Sequence, residues 1–347
     1  MSRTQVDIWV QAMPVAAFFV DLEEFIVAIN KDANSVLGQR LVGRSYITAL
    51  RQPDALTCVA DCLKHHSEQT TQFHSAESQS AATYDLRCCY VGGNNPGVLV
   101  TLTDVTEAQK TSQLHREFVA NVSHELRTPL TALMGFIETL QGPAKSDAQA
   151  HARFLGIMAT ETARMNRLVD DLLSLSRVEA QERQQPTEEI DLGGLLASVV
   201  NTFTAASLAA SVEIALEIPA QLPLVRGDQD QLRQVFTNLI ENAIKYSDDN
   251  VKVTIHAHDP AYDPRLRAQA VRISVRDTGF GFEPVHAARL TERFYRIDSH
   301  RSREMGGTGL GLAIVKHIIS RHRGRLEIAS ELDQGSDFKV ILPIIND

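Results

Sequence analysis

Two apolar stripes, one after the other, limit most strongly what this 347-residue chain can fold into. In the first stripe the apolar side chains recur at steps of three and four residues, which is the period of one face of an α-helix. Its members are Leu114, Phe118, Val122, Leu126, Leu130, Leu133, Ile137 and Leu140. The pair Gly142-Pro143 ends this helix, and a second stripe of the same period follows over residues 148–175.

The connection between the two stripes is short, so the two helices are predicted to be antiparallel neighbours. Two helices cannot bury two full apolar stripes against each other alone. The pattern therefore predicts a four-helix bundle that two chains form together, and we expect a homodimer.

The residues before the stripes follow a different pattern. Short segments alternate between apolar and polar side chains and are separated by turn residues, which indicates β-strands. The segments are residues 17–20, 24–29, 83–91 and 98–103, with helical spacing over 54–65 and a hairpin turn over 92–97. We expect a small α+β module in this part of the chain.

The residues after the stripes begin with the polar stretch 179–189, which contains Pro186 and no apolar period and so predicts a linker. Helices are predicted at 192–209, 230–245 and 311–322, and strands at 212–218, 251–257, 271–276, 326–329 and 338–342. This pattern favours a helix layer over a mixed sheet. The predicted fold is multidomain α+β, with domains at 1–106, 107–180 and 191–347 and a linker at 181–190.

Composition excludes some classes of protein. The 34 basic and 43 acidic residues give a net charge of −9, which argues against direct binding to nucleic acid. The apolar run over residues 9–20 is shorter than the roughly 20 residues of a membrane span and is broken by Gln11 and Pro14. We expect a cytoplasmic location for the chain as given, with inner-membrane association only through partners or an upstream segment.

All four cysteines lie in the first third of the chain: Cys58, Cys62, Cys88 and Cys89. Adjacent cysteines in a strand point to opposite faces, which does not suit a disulfide framework. A reducing compartment is expected, and the cysteines are interpreted as small apolar core residues rather than as metal or haem ligands.

His124 is the candidate nucleophile on the first helix. It lies about 200° around the helix from Val122, so it is predicted to face solvent. Glu125 adjoins it, Arg127 lies nearby, and Thr128 shares its face at i+4. Pro129 is predicted to bend the helix. An exposed imidazole is a competent nucleophile, and a neighbouring carboxylate can take its proton; a solvated histidine without chemistry is the alternative.

Three polar patches lie in the last part of the chain. A glycine loop, 307–311, leads directly into a predicted helix, where backbone N–H groups can bind phosphate. Asp277 ends a predicted strand and begins the turn 277–281. Asn238, Asn242 and Lys245 share one face of a helix. Taken singly, each patch also suits an ordinary helix cap, turn or solvated helix face.

Residues 118–130 closely resemble the H-box of bacterial sensor histidine kinases. The resemblance implies that His124 accepts a phosphoryl group and that Glu125 assists as a general base. It also implies that Thr128 positions water when the same domain dephosphorylates a receiver domain. A bent dimerisation helix without chemistry is the alternative.

Taken together in their order along the chain, the three patches resemble the ATP-binding domain of the GHKL (Bergerat) type. This domain is an α/β sandwich shared by histidine kinases, type II topoisomerases and Hsp90 chaperones. Residues 238–246 resemble the N-box, 277–281 the G1 box, 293–296 the F-box and 307–311 the G2 box. Residues 283–306 would form a mobile lid over the nucleotide.

This resemblance implies that ATP and Mg²⁺ are the cofactors. It places Asn242 on Mg²⁺ with Asn238 beside the metal, Asp277 on the adenine amino group, and Arg296 on the γ-phosphate. Lys245 and Tyr246 would line the nucleotide site, on the side of the phosphates and of the base. The remaining residues implied to contact nucleotide are Gly279, Gly281, Arg293, Gly307, Thr308, Gly309, Leu310 and Gly311.

Asn238 separates two activities within this superfamily. The ATPase relatives carry glutamate four residues before the metal-binding asparagine, to activate water, and here that position is Asn238. Without this base, water is not activated at this position. The γ-phosphoryl group is therefore expected to transfer to a better nucleophile, His124. The expected activity is a protein-histidine kinase that passes the phosphoryl group to an aspartate of a response regulator and also acts as its phosphatase.

Residues 292–298 and 306–317 resemble the PhoR type, the phosphate-regulon sensor kinases, which implies a PhoB-like response regulator. The first module resembles a PAS domain, which would receive an unidentified signal or ligand. Two alternatives stay open: a GHKL-type ATPase that uses ATP for conformational change, and a non-catalytic PAS dimerisation adaptor.

Overall fold

A computed structural model of the chain describes residues 3–38, 40–75, 82–182, 184–210, 212–246, 252–297 and 307–345. The chain divides into two compact units, Met1–Ala120 and Asn121–Asp347. Among the helices within these ranges, none combines the length and apolar character needed to cross a bilayer.

The first unit is a five-stranded antiparallel sheet with helices on both faces. Its elements are α1 (Arg3–Gln11), β1 (Ala16–Asp21), β2 (Ile26–Ile29), α2 (Lys31–Leu37), a 3₁₀ turn (Tyr46–Thr48), α3 (Pro53–His65), β3 (Gln69–Ser75), β4 (Ala82–Val91) and β5 (Gly97–Asp104). The strand order is β2-β1-β5-β4-β3. One sheet face forms the main core with α2 and α3, where Phe18, Ile26, Val59 and Leu86 are fully buried. On the other face, Val10 of α1 packs against Phe19.

Strand β4 holds the beginning of the next helix, α4 (Thr106–Gln141). The backbone N–H of Val105 donates to the Thr83 carbonyl over 2.9 Å. In return, the Thr83 N–H donates to the Thr106 hydroxyl over 2.9 Å. The start of α4 is therefore fixed to the first residues of β4.

The second unit contains most of α4 and all later elements. These are α5 (Ala148–Gln181), β6 (Glu188–Ile190), α6 (Leu192–Ala210), β7 (Glu213–Glu217), β8 (Val225–Gly227), α7 (Gln229–Lys245), β9 (Lys252–Asp263), β10 (Ala268–Asp277), a 3₁₀ turn (Pro284–His286), α8 (Gly311–Arg321), β11 (Arg325–Glu331) and β12 (Gly335–Pro343). The main sheet has the order β11-β12-β10-β9-β7, and β6 pairs with β8 in a small second sheet. Since β7 is parallel to β9 while the other pairs are antiparallel, the sheet is mixed, as predicted.

The helical hairpin of α4 and α5 confirms the helices that the apolar stripes predict. Helix α4 ends at Gln141, directly before Gly142-Pro143, and the Phe136 and Phe154 rings of the two helices lie 5.3 Å apart. Stripe members such as Leu114 and Leu130 are more than half exposed in the single chain. Pro129 lies inside the unbroken helix, and the bend predicted there stays a prediction.

The structure also contains elements that the sequence pattern does not predict. Strand β3 is polar, and only Phe73 and Ser75 of its side chains are buried, so it has no apolar alternation to detect. Strand β6 occupies 188–190, inside the segment predicted as a linker, and is only three residues long. Strand β9 continues six residues beyond its predicted end because backbone pairing with β10 extends through an exposed polar stretch.

Candidate functional site

His124 lies on α4 and is exposed, as its position on the helix predicts. Thr128, one turn later, is also exposed, and its hydroxyl donates to the His124 carbonyl oxygen over 3.2 Å. Arg127 is exposed as well, and its carbonyl accepts from the Thr131 hydroxyl over 3.0 Å. The imidazole therefore stands at the helix surface, accessible to a second reactant.

The carboxylate of Glu125 is held between two arginines. Arg164 of α5 approaches it at 3.1 Å and Arg296 at 3.3 Å, in each case through Nη2. The Glu125 side chain is 19% exposed and that of Arg296 only 7%. Arg164 also pairs with Glu161 at 2.8 Å. Burial lowers the pKa of Arg296, but an arginine stays protonated at neutral pH, so the residue following His124 is in contact with a fixed positive charge.

Helix α7 positions the predicted N-box residues. Asp228 caps it by accepting from the N–H of Gln231 over 3.1 Å, and a fully buried apolar face fixes its rotation. That face is Leu232, Val235, Phe236, Leu239 and Ile240. The opposite side is half-buried and carries Asn238, whose Nδ2 donates to the Gly311 carbonyl over 3.3 Å, and Asn242 one turn later.

Lys245 and Tyr246 lie at the end of α7. Burial and the neighbouring charges of Arg167 and Arg296 lower the pKa of Lys245 to about 8. Its ammonium lies 5.5 Å from the centre of the Tyr246 ring, and that ring is 40% exposed. A bound polyanion would raise the pKa of this lysine again, because an opposite charge favours the protonated form.

The described residues contain no group of three or more His, Cys, Asp or Glu side chains arranged to hold a metal ion. A Mg²⁺ ion that arrives with a nucleotide needs no such group, because it takes only one or two protein ligands besides phosphate and water. The carboxamide oxygen of Asn242 is a ligand of the required oxygen type.

Asp277 ends β10 as a buried carboxylate. Its Oδ1 accepts from the backbone N–H groups of Gly279, at 2.9 Å, and Ser336, at 3.2 Å. Burial raises the pKa of Asp277 despite these bonds. Gly281 follows with φ of +59°, and a Cβ there would lie 2.0 Å from the Glu331 carbonyl oxygen. The turn after Asp277 therefore requires glycine at this position.

The segment 293–296 packs directly against the glycine loop 307–311. The Phe294 N–H donates to the Gly309 carbonyl over 2.8 Å, and Arg296 donates through Nη2 to the Gly307 carbonyl. Gly309 has φ of +73°, and a Cβ on it would lie 2.9 Å from the Phe294 Cα. The predicted lid residues 298–306, including Gly306 of the motif, lie outside the described residues.

The glycine loop also contacts α5, which no motif predicted. The Thr308 hydroxyl donates to Asp171 Oδ2 over 2.6 Å, and burial raises the pKa of Asp171. Leu310, which follows in the loop, is fully buried. The loop is thus held on one side by segment 293–296 and on the other by α5.

Further contacts join α5 to the same domain. Arg293 pairs with Glu179 at 2.5 Å, and His317 of α8 approaches Glu179 at 3.4 Å and Glu182 at 3.1 Å. Sequence reasoning missed all the α5 partners. The sequence holds only a weak signal for these partners. Arg164 and Asp171 are seven residues apart, so they lie on nearly the same face of α5, beside its apolar stripe.

Comparisons with known proteins agree with this geometry. Residues 114–181 match the family model described as the His Kinase A (phospho-acceptor) domain. Residues 227–346 match the model described as histidine kinase-, DNA gyrase B-, and HSP90-like ATPase. Together, the two matches contain the site residues described above: the first covers those of α4 and α5, and the second covers those of the later elements.

Curated relatives match this region, and two of them show the degree of similarity. The phosphate regulon sensor protein PhoR of Pseudomonas aeruginosa is 42% identical over 240 residues, which are 69% of this chain and 52% of that protein. The sensor protein kinase WalK of Staphylococcus epidermidis is 41% identical over 247 residues, 71% of this chain and 39% of that protein. The chain thus spans about half the length, or less, of these relatives.

One solved structure matches nearly the whole chain. It is the histidine kinase ThkA in complex with the response regulator protein TrrA, with a TM-score of 0.52 and coverage of 96% of each chain. At 22% sequence identity, this likeness is one of fold.

Proposed function

This chain belongs to the sensor histidine kinases, and from that premise we propose that it phosphorylates its own His124 with the γ-phosphoryl group of ATP. The phosphoryl group then passes to an aspartate of a response regulator. The single observation that carries the proposal is the 3.3 Å contact between Arg296 and Glu125. It brings the arginine expected at the γ-phosphate next to the residue that follows His124.

The chemistry follows from the positions of these side chains. One ring nitrogen of His124 attacks the γ-phosphorus, a nitrogen–phosphorus bond forms, and the bond to the bridging oxygen breaks so that ADP leaves. Glu125 holds or takes the proton of the other ring nitrogen. Arg296 and Lys245 offset negative charge on the transferring group. Mg²⁺, held by Asn242, would neutralise phosphate charge when bound.

Arg296 cannot serve Glu125 and the γ-phosphate with the same nitrogen at once. In the structure its Nη2 contacts both Glu125 and the Gly307 carbonyl. Its Nε is buried and has no hydrogen-bond partner within the described part of the chain, so this N–H can turn to the γ-phosphate while Nη2 keeps its two contacts.

Asn238 supports transfer to histidine over hydrolysis. Its side-chain amide donates to the Gly311 carbonyl, and an amide cannot accept a proton from water as a glutamate does. ATP would thus meet no carboxylate base at this position. The two other candidate activities, an ATPase and a non-catalytic adaptor, are outcomes of the test below.

The test incubates the full chain with γ-labelled ATP and Mg²⁺ and compares His124→Gln with His115→Gln. His115 is a second exposed histidine of α4 and provides the matched control. We expect acid-labile, alkali-stable label on the wild type and on His115→Gln, and none on His124→Gln. Steady phosphate release without labelled protein would indicate the ATPase, and absence of ATP binding would indicate the adaptor.

We propose further that the protein is a homodimer that also dephosphorylates its regulator. The exposed apolar side chains of the helical hairpin support the dimer: Leu114, Leu130, Met134, Leu155 and Leu173. The exposed Thr128 at i+4 from His124 supports the phosphatase. Thr128→Ala should lose dephosphorylation of the regulator while keeping autophosphorylation.

A role in phosphate signalling, with a PhoB-like partner, is the finer part of this proposal. Similarity to PhoR supports it, while WalK is similar to nearly the same degree. The first unit, an antiparallel sheet covered by helices, is proposed to be the PAS-like sensor. Phosphotransfer to a panel of purified receiver domains tests the partner, and transfer to a PhoB-like receiver should be fastest.

A further inference from the structure

Two cysteines of the first unit have their sulfur atoms in contact. The Sγ atoms of Cys58, on α3, and Cys88, on β4, lie 3.6 Å apart. Cys88 is fully buried and Cys58 is 6% exposed, and both belong to the main core of the unit. A disulfide needs an S–S distance of about 2.05 Å. The sulfurs must therefore approach by roughly 1.5 Å before a bond can form.

We propose that Cys58 and Cys88 form an oxidisable dithiol, which a hydroperoxide converts to a disulfide joining α3 to β4. The modification site itself depends only on the first unit. Its effect on kinase activity rests on the function proposed above.

The reaction consumes one hydroperoxide for each disulfide. The Cys58 thiolate attacks the outer oxygen, the O–O bond breaks, and the alcohol (or water, from hydrogen peroxide) leaves with a proton, so that Cys58 becomes a sulfenic acid. The Cys88 sulfur then attacks the Cys58 sulfur, the S–O bond breaks, and water leaves as the S–S bond forms. Two thiols lose two electrons in total, and the peroxide gains them.

The surroundings distinguish this pair from the other two cysteines. Contact with Cys88 lowers the pKa of Cys58, which favours the thiolate on the less buried sulfur. Burial raises the pKa of Cys62, one helical turn away, to about 11, and contact with Cys58 together with burial raises the pKa of Cys88. Cys58 is therefore the sulfur that attacks the peroxide, and its contact with Cys88, rather than acidity, makes Cys88 its partner. Cys89 follows Cys88 in the strand and therefore points to the opposite face of the sheet.

Strand β4 connects this pair to the start of helix α4. It carries Cys88 and, five residues earlier, Thr83, whose backbone N–H and carbonyl bind Thr106 and Val105 at the start of α4. A bond between α3 and β4 therefore acts on the strand that anchors α4. A dithiol that is reduced at rest also agrees with a reducing compartment, where disulfides are transient and serve redox sensing.

The test treats the reduced full chain with hydrogen peroxide, alkylates it under denaturing conditions, digests it with trypsin and maps cross-linked peptides by mass spectrometry. Trypsin leaves Cys58 with Cys62 in residues 52–64, and Cys88 with Cys89 in residues 88–110, so single variants must assign the bond. We expect the joined peptide, lighter by two hydrogens, in the wild type and in the Cys62→Ala and Cys89→Ala controls. It should be absent from Cys58→Ala and from Cys88→Ala.

A second measurement addresses the effect on activity. Oxidation should change the rate of His124 labelling by about fivefold or more, the lower end of typical coupling between sites, and the rate in Cys58→Ala should not change. Persistence of the cross-link in Cys58→Ala, or free thiols at all four cysteines after peroxide, would overturn the site. A bridge that leaves the labelling rate unchanged would overturn its regulatory effect. Labelling of the reduced protein tests the kinase separately, because mapping the bridge needs no activity.

Discussion

At the scale of single residues, the Asp277 carboxylate both accepts hydrogen bonds that shape a turn and carries a charge that burial disfavours. It is 6% exposed, and its Oδ1 already accepts two backbone N–H groups that shape the turn after β10. Burial raises its pKa, which means that holding its charge reduces stability at neutral pH. A charge kept at such a cost at the end of a strand is typical of a ligand-binding position.

We therefore expect Asp277→Asn to separate binding from folding. The asparagine oxygen can accept the same two N–H groups, but its NH₂ group would meet the adenine amino group donor to donor. ATP affinity should fall about tenfold or more, which corresponds to about 1.4 kcal/mol, while the free energy of unfolding stays constant or rises. Calorimetric ATP titration and urea unfolding check this, with the exposed Asp259→Asn as control. Unchanged affinity would contradict the role of Asp277.

His322 makes stability depend on pH. It is 1% exposed, its Nδ1 donates to the Ile318 carbonyl over 2.7 Å, and its Nε2 accepts from the Asp228 N–H over 2.9 Å. The accepting nitrogen must be unprotonated, and burial lowers the pKa of this imidazole. The unfolded chain therefore binds more protons than the folded chain below about pH 6.5, the ordinary histidine pKa.

The expected result is a loss of stability as pH falls from about 6.5 toward the lowered folded-state pKa. Urea unfolding, followed by circular dichroism between neutral pH and pH 5, measures it. Because other groups titrate in the same range, the comparison with His322→Gln isolates this residue, and the variant should show a shallower dependence. Equal slopes in the two proteins would refute the assignment.

At the scale of elements, the glycine loop depends on α5 as well as on its own domain. The 2.6 Å bond from Thr308 to Asp171 supplies a donor to a carboxylate whose pKa burial raises. Because a buried acceptor without its donor costs about 1–3 kcal/mol, this bond helps to hold the loop against the helix.

Thr308→Val should destabilise the second unit by about that amount, 1–3 kcal/mol, because it keeps the side-chain shape and removes the donor. Thr308→Ser keeps the hydroxyl and provides the control, with a smaller loss. Adding Asp171→Asn to Thr308→Val should recover part of the stability, since it removes the buried charge. Denaturant unfolding of these proteins and of the single variant Asp171→Asn, five in all, measures this, and strictly additive losses would argue against a direct bond.

At the scale of the whole molecule, the exposed apolar side chains of the helical hairpin require a partner. Leu130 is 52% exposed and Met134, one turn on, 57%. In the proposed homodimer these residues become core.

Leu130→Glu should therefore weaken the dimer. Each leucine buried at an interface contributes about 1.5–3 kcal/mol, so losing one from each chain should raise the dimer dissociation constant about a hundredfold or more. Sedimentation equilibrium measures it. Ala132→Glu places the same charge on an exposed position of the same helix and should leave the dimer intact. Equal effects of both variants would mean that general charge, rather than the apolar stripe, decides assembly.

Prediction from the sequence succeeded where apolar side chains repeat at a regular period. Helix α7 buries such a face in the single chain, whereas the stripes of α4 and α5 indicate their helices although most of these side chains are exposed in the single chain. Strand β3 was missed because, of its side chains, only Phe73 and Ser75 are buried, and backbone pairing with β4 stabilises it instead.

The same distinction holds within the site. His124 and Asp277 lie in contiguous motifs, whereas the contact of Arg164 depends on how α5 packs against α4, and that of Asp171 on how α5 packs against the domain that follows it. Such contacts join residues 39 and 137 positions apart, as for Glu125 with Arg164 and Asp171 with Thr308, and no local pattern encodes them.

The unbroken course of α4 has a mechanical consequence. Its 36 residues form one helix, in which each residue adds about 1.5 Å of rise and about 100° of rotation. The number of residues ahead of His124 therefore sets the angular phase of that histidine, independently of their side chains. An insertion of seven residues completes almost two turns and nearly restores the phase, whereas an insertion of three leaves it about 60° off. The number of residues between the start of α4 and His124 thus helps to decide which way the reactive imidazole faces.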